Sequence, residues 1–226
     1  MAAAVDKAYY AIRKGIVGGA FAPDAHLTAQ ELAHATGLSR TPVREAMRRL
    51  HAEGLIRIIP HRGAFVRRLD REEIHKIYDL VVLLETFAAE AAATNATPEQ
   101  LAELAALSDS MEAQLAVLSA TGSPEAAERI VEDNGRFHRL IVAAAHNSWL
   151  ESAFSVISEA PQVLDTFRAY DLDEMRRSQI QHVELILAFR DRDAEWARTI
   201  MHGHILAARR ILLRADEGAT PAATAK

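Results

Sequence analysis

Apolar residues near the start of the chain recur every three to four positions: Ala8, Tyr9, Ile12 and Ile16. An α-helix needs that period to keep one face dry. Gly18-Gly19 stops the pattern and Pro23-Asp24 adds a turn. Thr28-Ala-Gln-Glu31 sets a hydroxyl three residues before a carboxylate, as in a capping box, and predicts a short helix ending at Gly37. Ser39-Arg-Thr41-Pro42 opens a third helix, since either hydroxyl can cap it and proline is tolerated in a first turn. It runs to about Glu53, and Gly54 ends it. Leu55-Ile-Arg-Ile-Ile59 and Ala64-Phe-Val66 then flank Pro60-His-Arg-Gly63. Two β-branched and aromatic runs around such a turn predict a hairpin.

Beyond Asp70 the pattern is helical throughout. Helices are predicted over about 71–96, 98–118, 125–145, 148–168, 173–190 and 194–214. Thr97-Pro98, Thr121-Gly-Ser-Pro124, Asn147, Tyr170-Asp171 and Asp191-Arg-Asp193 break them. Six helices with short connections make a bundle. Residues 215–226 are small and polar and are expected to be a disordered tail. The fold class is therefore mostly α. A helix-turn-helix with a hairpin wing fills 1–69, and an all-α bundle fills 70–214.

The chain has 226 residues, half of them apolar, enough for one large domain or two small ones. Cysteine is absent, which excludes disulfides, a thiolate zinc site and a cysteine nucleophile. No apolar run approaches the roughly 18–20 residues of a membrane span. The opening Met1-Ala-Ala-Ala-Val-Asp-Lys lacks the cationic-then-apolar order of a secretory signal, so a cytoplasmic, membrane-free protein is expected. The net charge of −5 hides a split: residues 1–68 carry +6 and residues 69–226 carry −11. A cationic front suits a polyanionic partner.

The positive charges are ordered. On the third helix Val43, Ala46, Met47 and Leu50 share one face, and Arg40, Arg44 and Arg48 lie four apart on another. A helix docked by its apolar side and carrying an arginine row suits a DNA major groove, where a guanidinium can clamp guanine or grip phosphate. The hairpin tip His61-Arg62-Gly63 is small and cationic, as a wing touching backbone or minor groove would be. Thr36-Gly-Leu-Ser-Arg-Thr-Pro-Val-Arg-Glu-Ala-Met47, Leu50-His-Ala-Glu-Gly-Leu-Ile56 and Arg62-Gly-Ala-Phe-Val66 resemble the winged helix-turn-helix of the GntR family of bacterial transcription regulators. That resemblance implies DNA contacts by Arg40, Arg44, Arg48 and Arg49, with Thr41 near phosphate and Gly63 at the wing tip. One departure is Pro23-Asp24, where the family usually has Pro-Gly.

Three of the ten histidines fall on inward helical faces. His138 shares its side with Ile141 and Val142, His182 with Leu185 and Ile186, and His204 with Ile200, Met201 and Ile211. His202 falls on a charged side and should face water. One buried histidine is ordinarily a satisfied core residue, but three on three helices can converge on Zn²⁺, Ni²⁺, Fe²⁺ or Mn²⁺. Asn134, one turn before His138, offers a fourth oxygen.

Asn134-Gly-Arg-Phe-His138, His146-Asn147, His182 through Ala188, and Met201-His-Gly-His204-Ile resemble the FCD ligand-binding domain of the FadR subfamily, in its shorter six-helix, VanR-like form. The resemblance implies a divalent metal held by Asn134, His138, His182 and His204, with Asp133 a weaker candidate. It also implies a small carboxylate effector. The arginine that often grips such an effector is replaced here by Val81, leaving Arg139 or another arginine to substitute. The expected function is a homodimeric transcription regulator on an inverted-repeat operator, its affinity set by an organic acid bound near the metal, with movement absorbed around Asp70. Two alternatives are a metal-dependent enzyme built on the three histidines and an architectural DNA-binding protein. The first lacks an H-E-x-x-H string, and the second has no use for three inward histidines.

Overall fold

The computed structural model describes residues 2–17, 19–60, 62–68, 70–158 and 169–219. The chain divides into two compact units, the first ending at Asp70 and the second beginning at Arg71.

In the first unit, α1 (Ala2–Val17), α2 (Ala29–Thr36) and α3 (Arg40–Ala52) precede the hairpin β2 (Ile56–Ile59) and β3 (Gly63–Val66). A strand of two residues, β1 (His26–Leu27), completes a sheet of order β1-β3-β2. Both pairings are antiparallel, with His26 opposite Phe65 and Arg57 opposite Phe65 on the other side. β1 was not expected, because two residues are too few for an alternating pattern. Thr28 caps α2 by accepting from the Glu31 N–H at 3.1 Å. Its hydroxyl donates to the Glu31 carboxylate at 2.7 Å, so the side chains of the capping box bond to each other. Ser39 is the N-cap of α3 without a side-chain cap bond. Gly37 ends α2 at φ +67°, where its N–H reaches two carbonyls of the last turn.

Pro23-Asp24 keeps the geometry that glycine would supply. Asp24 sits at φ +64°, a left-handed conformation that costs an L-residue roughly 1–2 kcal/mol and that aspartate tolerates better than most. Its N–H donates to the Val66 carbonyl, and its carboxylate accepts from Arg57 at 2.7 Å and lies 3.8 Å from Arg68. The departure from the family pattern thus becomes a clamp on the base of the hairpin.

The second unit contains α4 (Arg71–Asn95), α5 (Pro98–Thr121), α6 (Pro124–Ala144), α7 (Ser148–Ser158), α8 (Leu172–Arg190) and α9 (Ala194–Ala219). Full capping boxes start α5 at Thr97/Gln100 and α8 at Asp171/Glu174. Ala88, Ala89, Ala92 and Ala93 form a buried small-residue face of α4, the helix that packs most extensively on α9. Small side chains let two helix axes approach closely. The expected tail begins too early, because α9 extends through Ala219. Residues 220–226 and the second half of the helix expected over 148–168 lie outside the described residues.

The core of the first unit joins Ile12 and Ile16 of α1 to Val43 and Leu50 of α3 and to Leu55 and Ile56. Leu50 is fully buried. Leu50→Ala is expected to lower the stability of this unit by about 3 kcal/mol, measured by chemical denaturation of the full chain.

Candidate functional site

α3 is amphipathic in the sense expected. Pro42, Val43, Ala46, Met47 and Leu50 are buried, whereas Arg40, Thr41, Arg44 and Arg48 are exposed. Burying one side fixes the roll of the helix and so fixes where the arginines project. A groove of about 470 Å³ runs between α3 and the wing. Arg44, Arg48 and Arg62 line it, over Leu27, Met47, Ile58 and Ala64. Three guanidinium groups beside an apolar floor match a sugar-phosphate backbone, which is anionic outside and apolar at the deoxyribose. Arg48 also pairs with Glu45 at 3.0 Å on the exposed surface.

Gly63 lies at the tip with φ +99°. A Cβ there would fall 2.3 Å from Nε2 of His26, whose ring packs 4.9 Å from Phe65. Both the backbone and the packing therefore call for glycine. His61 lies outside the described residues.

Arg49 departs from the expectation. Its guanidinium lies 3.8 Å from the Tyr9 ring centroid, donates to Glu53 at 3.2 Å and reaches Asp6 at 3.3 Å. Tyr9 also donates its hydroxyl to Glu53 at 2.7 Å. One residue past Arg48 is about 100° around the helix, which turns Arg49 toward α1 and out of the arginine row. It fastens α3 to α1.

In the helical unit the three inward histidines meet. His138 on α6, His182 on α8 and His204 on α9 are buried, with ligand atoms all within 4.8 Å of one another. The Nε2 atoms of His138 and His204 are 3.3 Å apart. His202 is exposed, as its charged side predicts. Burial foremost, then the rings of His204 and His138, holds His182 well below the ordinary histidine pKa. Burial, then His138 and the charge of Arg177, does the same to His204. Both imidazoles are therefore neutral at pH 7.

The outer nitrogen of each ring is held. Nδ1 of His138 meets the Glu85 carboxylate, Nδ1 of His204 meets Oε1 of Gln181 at 3.1 Å, and Nδ1 of His182 faces Oε1 of Gln179 at 3.4 Å. An acceptor at Nδ1 puts the ring proton there and leaves Nε2 with a free lone pair. Nε2 of His182 is buried with no partner, and so is Oδ1 of Asn134. Two lone pairs facing each other at 3.3 Å repel unless an electrophile sits between them. Two nitrogens on one tetrahedral ion at about 2.0–2.1 Å would be separated by about that much. The three imidazoles, with the orphaned Nε2 of His182, therefore fit a divalent cation. Asp133 does not join it. That carboxylate is buried toward α5, accepting from Ser110 at 2.7 Å, with Arg129 and Arg136 at 3.6 and 3.7 Å.

Glu85, Gln179, Gln181 and Ser108 were not among the expected site residues. Gln179 could have been found, since it lies three residues before His182 on the same helical face. Val81 is buried and apolar. Arg139 lies along its own helix, with its guanidinium 3.1 Å from where a Cβ on Gly135 would be. The cation whose field reaches His204 is Arg177. The void beside His182, lined by Met111, Leu115, Ile130, Met175 and Gln179, holds only about 10 Å³, roughly one water.

Arg44→Ala is expected to weaken binding to duplex DNA and to flatten the slope of log affinity against log salt by about 0.9, one phosphate's share. Arg49→Ala is expected to leave that slope unchanged and to lower the melting temperature. Fluorescence anisotropy across a salt series, with a parallel thermal melt, checks both.

Comparison with known proteins gives these two units their names. Residues 76–207 match the FCD domain, and residues 4–66 match the bacterial regulatory proteins of the gntR family. The chain is 38% identical over 141 residues to an HTH-type transcriptional regulator of Agrobacterium vitis, covering 62% of this chain and 80% of that one. It is 30% identical over 185 residues to the Nta operon transcriptional regulator of Aminobacter aminovorans, covering 82% and 83%. Its fold is that of McbR/YncC from E. coli, with a TM-score of 0.77 over 94% of this chain and 98% of that one at 23% identity. Arginine row, wing and helical unit thus converge with the comparisons: the chain belongs to the GntR family and is a DNA-binding transcription regulator with a C-terminal FCD domain, not an enzyme.

Proposed function

We propose that this regulator works as a cytoplasmic homodimer on an inverted-repeat operator and that its operator affinity answers to a small carboxylate effector. The effector binds at or near a divalent metal, of the Zn, Ni, Fe or Mn class, held by Asn134, His138, His182 and His204. The observation that carries this reading is the uniform arrangement of the three buried rings. Each has its Nδ1 occupied by an acceptor, and their Nε2 lone pairs converge. A core that needed only to be satisfied would have paired those nitrogens with donors.

Bound there, the metal would supply a positive centre for an oxyanion. The chain's own residues do the rest. Glu85 offsets part of the positive charge through His138, and Asn134, being neutral, offsets none. The site then keeps a net positive field to which Arg177 adds, and that field favours an anionic ligand. The void by His182 holds about one water, so an organic acid does not fit in it as it stands. A ligand that binds one arrangement of the helices better than another shifts the equilibrium by its differential affinity for the two, and the shift passes to the DNA-binding unit.

Support for the homodimer comes from the surface. Leu80, Leu83 and Phe87 are 48%, 66% and 52% exposed at positions one and two turns apart on α4. Trp149 and Val156 are exposed on α7, which packs against α4. An apolar patch of this kind on a water-soluble fold is a surface for another protein, and an isologous dimer would cover it with its own copy.

The test is a thermal-shift screen of small carboxylates on metal-stripped and Zn²⁺-loaded protein. An effector raises the melting temperature by mass action, and more so with metal present. His182→Ala with His204→Ala is expected to abolish metal uptake by elemental analysis and with it the metal-dependent part of the shift. Full uptake by the double variant would exclude the site. Leu83→Glu is expected to yield monomers in light scattering, and an unchanged mass would exclude α4 as the dimer face.

A further inference from the structure

We propose that Gln179 is a positioning residue that fixes His182 as an Nε2 metal donor and that its own orientation is set by Ser108 on α5. The inference rests on the metal reading above and concerns how the chain prepares one ligand.

A glutamine amide can usually be turned end for end, exchanging its oxygen and nitrogen. Here the environment removes that choice. One end of the Gln179 amide lies 2.8 Å from the main-chain carbonyl of Ser108 and 2.9 Å from its hydroxyl. A carbonyl can only accept, so the end facing it must be the NH₂ group. Oε1 is left pointing at Nδ1 of His182, 3.4 Å away. Facing an acceptor, Nδ1 carries the ring proton and Nε2 does not. The choice of tautomer for His182 is therefore made on another helix, by a carbonyl that cannot change its role.

The surroundings enforce the choice. Gln179, Ser108 and His182 are 6%, 3% and 1% exposed, so water does not compete for these bonds. Nε2 of His182, freed of its proton, is among the described buried atoms that lack a partner. The other two rings are handled differently. His138 faces a carboxylate, which accepts whichever way it turns. His204 faces Gln181, a half-buried side chain whose amide nitrogen has no such anchor among the described residues. His138 is set directly by Glu85 on α4, whereas His182 has its tautomer written by a two-step chain of bonds, through Gln179 to Ser108 on α5, a helix that contributes no imidazole. α5 thereby joins the site.

The test measures Zn²⁺ affinity by competition with a chromophoric chelator on the metal-stripped full-length protein, together with the d–d absorption of the Co²⁺ form and a melt of the metal-free form. Gln179→Met keeps the length and volume and removes the acceptor. It is expected to weaken Zn²⁺ binding by about 10–100-fold, the usual effect of losing a group that orients a ligand, and to alter the Co²⁺ bands. Gln179→Glu restores an acceptor for Nδ1 while giving up the donor to the Ser108 carbonyl, and is expected to bind more tightly than Gln179→Met and more weakly than wild type. Ser108→Ala loses one of the two bonds that hold the amide and should weaken binding by a few-fold. Wild-type protein that takes up no metal would overturn the metal reading itself. Wild-type uptake matched by Gln179→Met would overturn the positioning role. Equal weakening in Gln179→Met and Gln179→Glu would reduce Gln179 to packing. Should Gln179→Met fail to fold, wild-type affinity in Gln179→Leu would overturn the relay.

Discussion

Removing a polar nitrogen from water without giving it a partner costs a folded chain about 1–3 kcal/mol. The helical unit accepts that cost at the centre of its bundle, where the imidazoles of three helices meet. Its layout follows from managing the cost. Glu85 on α4, Gln179 and Gln181 on α8, and Ser108 on α5 are arranged around the rings so that the outer nitrogens are satisfied and the inner ones are not. Burial keeps His182 and His204 neutral, as a metal ligand must be. Packing, protonation and donor geometry are one arrangement seen at three scales.

The DNA-binding unit solves the opposite problem. There the polar groups must stay in water while their positions are held. α3 does this by burying one face completely and by tying its end to α1 through Tyr9, Arg49 and Glu53. The exposed arginines project from a helix whose roll is fixed by its buried face.

Much of this was readable from the order of the residues. The arginine row and the three inward histidines declared themselves because helical period assigns each side chain a face, and face decides burial. What could not be read is what depends on contacts distant in sequence. Arg49 resembled its neighbour Arg48 until Asp6 and Tyr9, some forty residues earlier, were seen to claim it. Ser108 lies 71 residues from Gln179, and no local pattern links them. β1 escaped notice because its two residues are strand only by virtue of β3. Asp133 and Asn134 are adjacent and chemically alike, and only the bundle shows that one turns to Ser110 while the oxygen of the other is left unpaired.

Asp24 carries a consequence for how the wing can evolve. Its carboxylate ties up Arg57 and draws on Arg68, so two positive charges at the base of the hairpin are paired within the unit itself. Replacing that one acid with glycine would relax the backbone and release two guanidinium groups together. Reach toward the nucleic acid and rigidity of the hairpin are therefore traded at a single codon, well away from any residue that reads a base.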